Sequence, residues 1–122
     1  MLSEMLEKII ETADIDSIGL LSANGGTSAE IAPSSSLSRY LDGSSSDMMS
    51  VLILSKHKNQ KTALDRLCSI CNTLTRQKTI SAGRLTAYGI TVSTQPNYVA
   101  KENDMWIYSC IINLNIYNKE EF

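Results

Sequence analysis

The chain has 122 residues, of which 43% are hydrophobic and 20% charged, and its formal net charge is −2. This length suits one domain with a modest core, and the composition is that of an ordinary globular protein. No segment approaches the ~20 consecutive apolar residues that a membrane-spanning helix requires. We therefore expect no membrane-spanning helix and no membrane partner.

Two further features of the sequence concern the compartment. The first twelve residues are acidic and amphipathic, without the basic start and small-residue cleavage site of a signal peptide. The cysteines, Cys68, Cys71 and Cys110, are odd in number and suit a reducing compartment better than a disulfide framework. We therefore expect the protein to be made in the cytoplasm.

The first half of the chain predicts one helix, one irregular segment and one strand. Apolar residues recur at helical spacing from Leu2 to Ile10, with acidic residues between them, and predict an amphipathic helix over residues 2–13. Residues 22–47 are glycine- and serine-rich and predict a long irregular loop that serves as an interaction segment, with a short strand or extended segment at 29–33. Residues 48–54 are apolar on both strand faces, which is typical of a central strand.

The second half predicts a helix followed by two strands. The apolar stripe of residues 60–76 indicates a second helix, and residues 77–87 are interpreted as a connection. Residues 90–94 alternate as a strand, which Pro96 is expected to break because proline cannot donate to the ladder. Residues 106–117 form a last strand of roughly 40 Å, long for a domain with a radius of gyration of ~14 Å. We expect part of it to project to the rim or to meet a partner.

These elements predict an α+β fold: a single domain over residues 1–122, with a small mixed β-sheet of about four strands packed by two α-helices.

No pattern of catalytic residues emerges from the sequence. Cys68 and Cys71 have C-x-x-C spacing, but both fall on the apolar stripe of the second predicted helix, which favours core packing over zinc. His57, the single histidine, lies in a basic turn where a solvated role is expected. No phosphate-binding loop or nucleophile elbow is present. We predict no enzyme activity, no cofactor and no metal.

Charge is divided unevenly along the chain. Residues 1–55 carry two basic side chains and eight carboxylates, whereas residues 56–84 carry seven basic side chains and one carboxylate. The remainder carries two basic and four acidic groups. Such polarity can steer docking between subunits or an approach to nucleic acid, and it can equally be a solvated surface.

The succession of motifs resembles the tail-terminator and minor capsid proteins of tailed bacteriophages of Gram-positive hosts. The resemblance rests on the order of an N-terminal helix, the segments 31–33 and 39–43, a strand and a helix, and on two late motifs. The late motifs are Gln95-Pro96-Asn97-Tyr98-Val99 and Trp106-Ile107-Tyr108. The resemblance covers most of the chain, and residues 14–30 match least well.

The resemblance implies a virion structural protein at the head-proximal end of the tail. Such proteins form a homo-hexameric ring that caps the tail tube and docks it to the head-completion or connector protein, with DNA passing through the lumen. The charge blocks would let one subunit's basic region meet its neighbour's acidic region, so that charge reversal at Lys56, Lys58 and Lys61 weakens assembly. The expected subunit-interface residues are Arg39, Tyr40, Lys56, Lys58, Lys61, Asn113, Asn115 and Tyr117. A non-catalytic binding or adaptor module and a charge-driven nucleic-acid-binding domain remain the alternatives.

Overall fold

The computed structural model describes residues 2–19, 25–31, 45–82 and 85–118. Two α-helices and six β-strands lie within these ranges. In chain order they are α1 Leu2–Ala13, β1 Ser17–Ile18, β2 Gly26–Ile31, β3 Ser45–His57, α2 Gln60–Thr75, β4 Thr79–Ala82, β5 Leu85–Glu102 and β6 Met105–Asn118. The two predicted helices are confirmed to within a residue.

The described strands form one sheet in the order β1-β2-β3-β6-β5-β4. β1 pairs with β2 in parallel, and all other neighbours are antiparallel. The expectation of about four strands is wrong: the sheet is a six-stranded half-barrel, although the fold remains α+β. The additional strands are short, and short strands leave too little alternation in the sequence to be recognised.

Part of the predicted irregular loop 22–47 is strand. β2 occupies Gly26–Ile31, and β3 already begins at Ser45; residues 32–44 lie outside the described residues. The glycines that predict an irregular loop in the sequence have a structural role instead. A Cβ at Gly25, where φ is +100°, would lie 2.9 Å from the main-chain oxygen of Lys56, so the chain can approach β3 this closely only without a side chain.

β5 continues through Pro96, contrary to the expected break. Its pairing with β6 shifts register between Thr94 and Asn97, on either side of the proline. On its outer side, β4 covers only Leu85–Tyr88, so among the described residues the rest of that edge has no strand partner. A proline on such an edge leaves no ladder bond unmade, and bulges protect an exposed edge against pairing with other chains.

β6 is central and not a projecting strand. β3 pairs with it from Trp106 to Asn118, and β5 pairs with it from Met105 to Asn118. The expectation that part of β6 projects to the rim or meets a partner is therefore wrong, because two long strands of the same chain pair with it along its length.

Both helices pack on one face of the sheet. Side chains that are fully buried there include Met5 and Ile9 of α1, Leu67 of α2, Ile53 of β3 and Ile112 of β6. Each contributes roughly 1.5–3 kcal/mol by leaving water. α1 contacts both β2 and β4, which lie towards opposite edges of the sheet. One helix can reach both because the sheet curls around its helices as a half-barrel.

A carboxylate fixes the short parallel pair at the end of the sheet. Oδ2 of Asp16 accepts the main-chain N–H of Thr27 at 2.9 Å and its hydroxyl at 3.0 Å. The main-chain N–H of Asp16 donates to the Thr27 hydroxyl at 3.1 Å. These bonds attach the segment after α1 to β2 and so set where α1 enters the fold.

Candidate assembly surface

The described residues contain no group of three or more His, Cys, Asp or Glu side chains placed to hold a metal ion. Within the same ranges, no helix is long and apolar enough to cross a membrane. His57 is exposed at the end of β3, and its Nδ1 accepts the main-chain N–H of Asn59 at 3.1 Å. The histidine thus shapes the turn into α2.

The β5–β6 hairpin ends in a two-residue turn, Asn103-Asp104. Both residues have positive φ, 51° and 63°, which matches the type of turn that best fits the twist of a hairpin. Asn and Asp tolerate this left-handed conformation better than most residues. The turn holds the neighbouring side chains of both strands at one end of the sheet.

Three aromatic rings cluster beside this turn. The ring of Tyr98 lies 5.9 Å from those of Trp106 and Tyr108, edge-on to both. The Nζ of Lys101 sits 4.9 Å from the centre of the Trp106 ring, a cation–π contact. The Tyr108 hydroxyl accepts a hydrogen bond from Nε2 of Gln60 at 2.8 Å, which joins the cluster to the first turn of α2. Tyr98 remains 53% exposed despite these contacts.

Basic residues adjoin the aromatic cluster on β3 and at the start of α2, and the exposed residues Glu102 and Asp104 lie at the hairpin turn beside it. His57 pairs with Trp106 across β3 and β6, and the exposed Lys58 and Lys61 follow it at the start of α2. The first turn of α2 carries no acidic residue, so the positive end of the helix dipole adds to these charges. We name this surface the aromatic–basic rim: His57, Lys58, Lys61, Tyr98, Lys101 and Trp106.

An acidic surface lies on α1. Glu4, Glu7 and Glu11 are exposed along its outer side, where Lys8 and Glu11 form an ion pair at 3.9 Å. Part of the charge separation seen in the sequence is satisfied within the chain, because Arg66 of α2 pairs with Asp14 at 3.9 Å. The carboxylates of α1 and the lysines of the rim remain exposed to solvent.

The structure places the basic interface candidates in different environments. Lys58 and Lys61 are exposed on the rim. Lys56 is only 5% exposed, and its Nζ lies 3.8 Å from Oε1 of Glu102. The charge of Lys56 therefore pairs with a carboxylate of the same chain. Arg39 and Tyr40 lie outside the described residues.

The three candidates on β6 share the face opposite the helices. Asn113 accepts a hydrogen bond from the Ser50 hydroxyl at 2.7 Å and is half-buried, as is Asn115. Tyr117 is 46% exposed near the end of β6 that lies away from the rim. The structure therefore brings Lys58 and Lys61 together, but it does not bring them to the β6 candidates.

Sequence reasoning missed Tyr98, Lys101 and Trp106 as surface residues. Pro96 suggested that the strand ended before Tyr98, and only the hairpin register places Tyr98 against Trp106. The spacing of Tyr98, Lys101 and Trp106 around the turn at Asn103-Asp104 was the available signal.

No known family model matches the chain, and no curated protein matches it. Among solved structures, it is similar to a chain from the virion of a native gene transfer agent particle. The TM-score is 0.63 at 9% sequence identity, and the match covers 96% of this chain and 97% of that chain. At this identity the likeness shows a shared fold, from one end of both chains to the other.

Proposed function

We propose that this chain is a non-catalytic structural protein of a virion, and that within the particle it acts as a tail terminator. The observation that supports the virion role is the likeness to a virion chain over 96% of this chain and 97% of that one. The similarity extends over nearly the whole of both matched chains. The tail-terminator role follows from the resemblance of the sequence motifs to that family.

The proposed mechanism is head-to-tail association of identical subunits. The aromatic–basic rim of one copy faces the exposed carboxylates of α1, Glu4, Glu7 and Glu11, on the next copy. Two different surfaces that complement each other generate a ring when the rotation between copies closes, here after about six subunits. Charge complementarity guides the encounter, and the aromatic side chains supply the apolar area that sustains it.

In this proposal the ring caps the tail tube and connects it to the head. Its partners are the tail-tube protein and the head-completion or connector protein, and DNA passes through the lumen. No cofactor or metal takes part, because the task is to bind protein surfaces.

Deletion of the gene from a strain that produces the particle tests this role. A chain that caps tube growth should, when missing, leave tails of unregulated length that are not joined to heads, as seen by negative-stain microscopy. The control is complementation with the wild-type gene, which should restore joined particles. Tails of normal length with a different part missing would reject the tail-terminator role, and fully normal particles would reject a virion role altogether.

A further inference from the structure

Two buried thiols face each other between α2 and β6. Sγ of Cys71 lies 3.3 Å from Sγ of Cys110, within hydrogen-bonding distance for sulfur. Cys110 is fully buried in the centre of the sheet, and Cys71 is 6% exposed at the inner side of α2. The pair is separated by 39 residues in the sequence, so it joins distant parts of the chain.

We propose that Cys71 and Cys110 form a site of reversible oxidation, in which a peroxide converts the dithiol to a disulfide that joins α2 to β6. A disulfide has an S–S length of ~2.05 Å, so the two sulfurs must approach by about 1.3 Å to form one. No other described residue separates the two sulfurs, since they are already in contact.

The two thiols differ in how readily they ionise. The hydrogen bond with Cys110 lowers the pKa of Cys71, although burial opposes this change. The same hydrogen bond and burial raise the pKa of Cys110. Cys71 is therefore the thiol that ionises first, and it is also the more accessible of the pair.

The reaction balances with one peroxide. The Cys71 thiolate attacks one oxygen of hydrogen peroxide, the O–O bond breaks, and the products are a sulfenic acid on Cys71 and a hydroxide. The hydroxide takes up the proton that the Cys71 thiol released and becomes one water. Cys110 Sγ then attacks Cys71 Sγ, and the displaced hydroxide takes the Cys110 proton to give a second water. Two thiols are oxidised to one disulfide and the peroxide is reduced to two waters. A thiol reductant reverses the bond.

Cys68 provides the matched control. It is exposed on the outer side of α2, three residues before Cys71, and not on the buried stripe that the sequence suggests. A Cys68→Ser variant removes the competing thiol without touching the core, and it leaves one cysteine in each of the two relevant tryptic peptides. These peptides cover residues 67–76 and 102–119.

The experiment treats folded Cys68→Ser protein with a small excess of hydrogen peroxide, blocks free thiols under denaturing conditions and maps the tryptic peptides by mass spectrometry. We expect the Cys71–Cys110 linked pair as the main product, formed at least about 10-fold faster than in urea-unfolded protein, because folding holds the sulfurs in contact. The oxidised protein should melt about 5–15 °C higher than the reduced protein, and dithiothreitol should reverse both changes.

Two results would overturn the proposal. In one, Cys71 is oxidised to a sulfinic acid while Cys110 still carries the thiol-blocking agent in nearly every chain, which means that Cys110 has remained a free thiol. The other is a disulfide that joins Cys71 of two different chains, detected as a dimer on non-reducing gels. A Cys68→Ser/Cys110→Ala variant, which should give no linked peptide, confirms the identity of the product.

Discussion

Reversal of charge at Lys58 and Lys61 together, to glutamate, is expected to weaken association between copies by about 10- to 100-fold. Both lysines are exposed on the aromatic–basic rim, and neither forms an ion pair with another described residue. Removing two attractions and adding two repulsions at each contact accounts for the size of the effect. Sedimentation or light scattering as a function of protein concentration measures it.

The monomer should remain folded in this variant. Lys61 lies in the first turn of α2, where a carboxylate interacts favourably with the helix dipole, so stability should be unchanged or slightly raised. Lys78→Glu is the matched control: it makes the same change of charge at an exposed lysine beyond the other end of α2 and should assemble like wild type.

Charge exchange identifies the opposing surface. If the lysines face α1 of the next copy, adding Glu7→Lys and Glu11→Lys to the Lys58→Glu/Lys61→Glu variant should restore much of the lost association. Unaltered assembly of the lysine variant, or no recovery in the exchanged variant, would reject this arrangement of surfaces. Salt-sensitive DNA binding by a strictly monomeric protein would instead support the nucleic-acid alternative.

Replacement of Leu67 by alanine is expected to lower the free energy of unfolding by about 2–5 kcal/mol. Leu67 is fully buried where α2 packs on the sheet, so truncation loses apolar burial and leaves a cavity. For a domain stabilised by roughly 5–15 kcal/mol, this is a large fraction of the total. Urea denaturation followed by circular dichroism gives the value directly.

Leu64→Ala on the same helix serves as the control for Leu67→Ala. Leu64 is only partly buried against the core, so the same truncation should cost clearly less. Equal losses for the two variants would contradict the packing of α2 described above. Neither substitution changes charge on the rim.

The sequence is sufficient to predict elements with long, regular patterns. The stripe of α1, the stripe of α2 and the alternation of β6 each persist over several turns or residue pairs, and the two helices and the strand that they predict are confirmed, although Cys68 lies outside the buried stripe of α2. β4 has only four residues, Thr79–Ala82, and its pairing with Leu85–Tyr88 is what makes it a strand. The glycines before β2 suggest the end of regular structure in the sequence. In the fold, Gly25 instead allows the chain to approach β3 closely.

The candidate site was less predictable because it depends on pairs distant in sequence. Lys58 and Lys61 stood out as local charges, whereas the contact of Tyr98 with Trp106 depends on the hairpin register. Lys56 illustrates the opposite error, since local charge suggested a surface residue that the fold buries beside Glu102. Periodicity describes one element at a time, whereas the rim is formed by residues of four elements, β3, α2, β5 and β6.

The mass of the assembled wild-type protein tests the central claim most directly. Light scattering with negative-stain microscopy, over a range of concentrations and with or without tail-tube protein, should reveal rings of about six times the monomer mass of 13.4 kDa. A species that stays at 13.4 kDa at every concentration, and also in the presence of tail-tube protein, would contradict the proposal that this chain works as a ring.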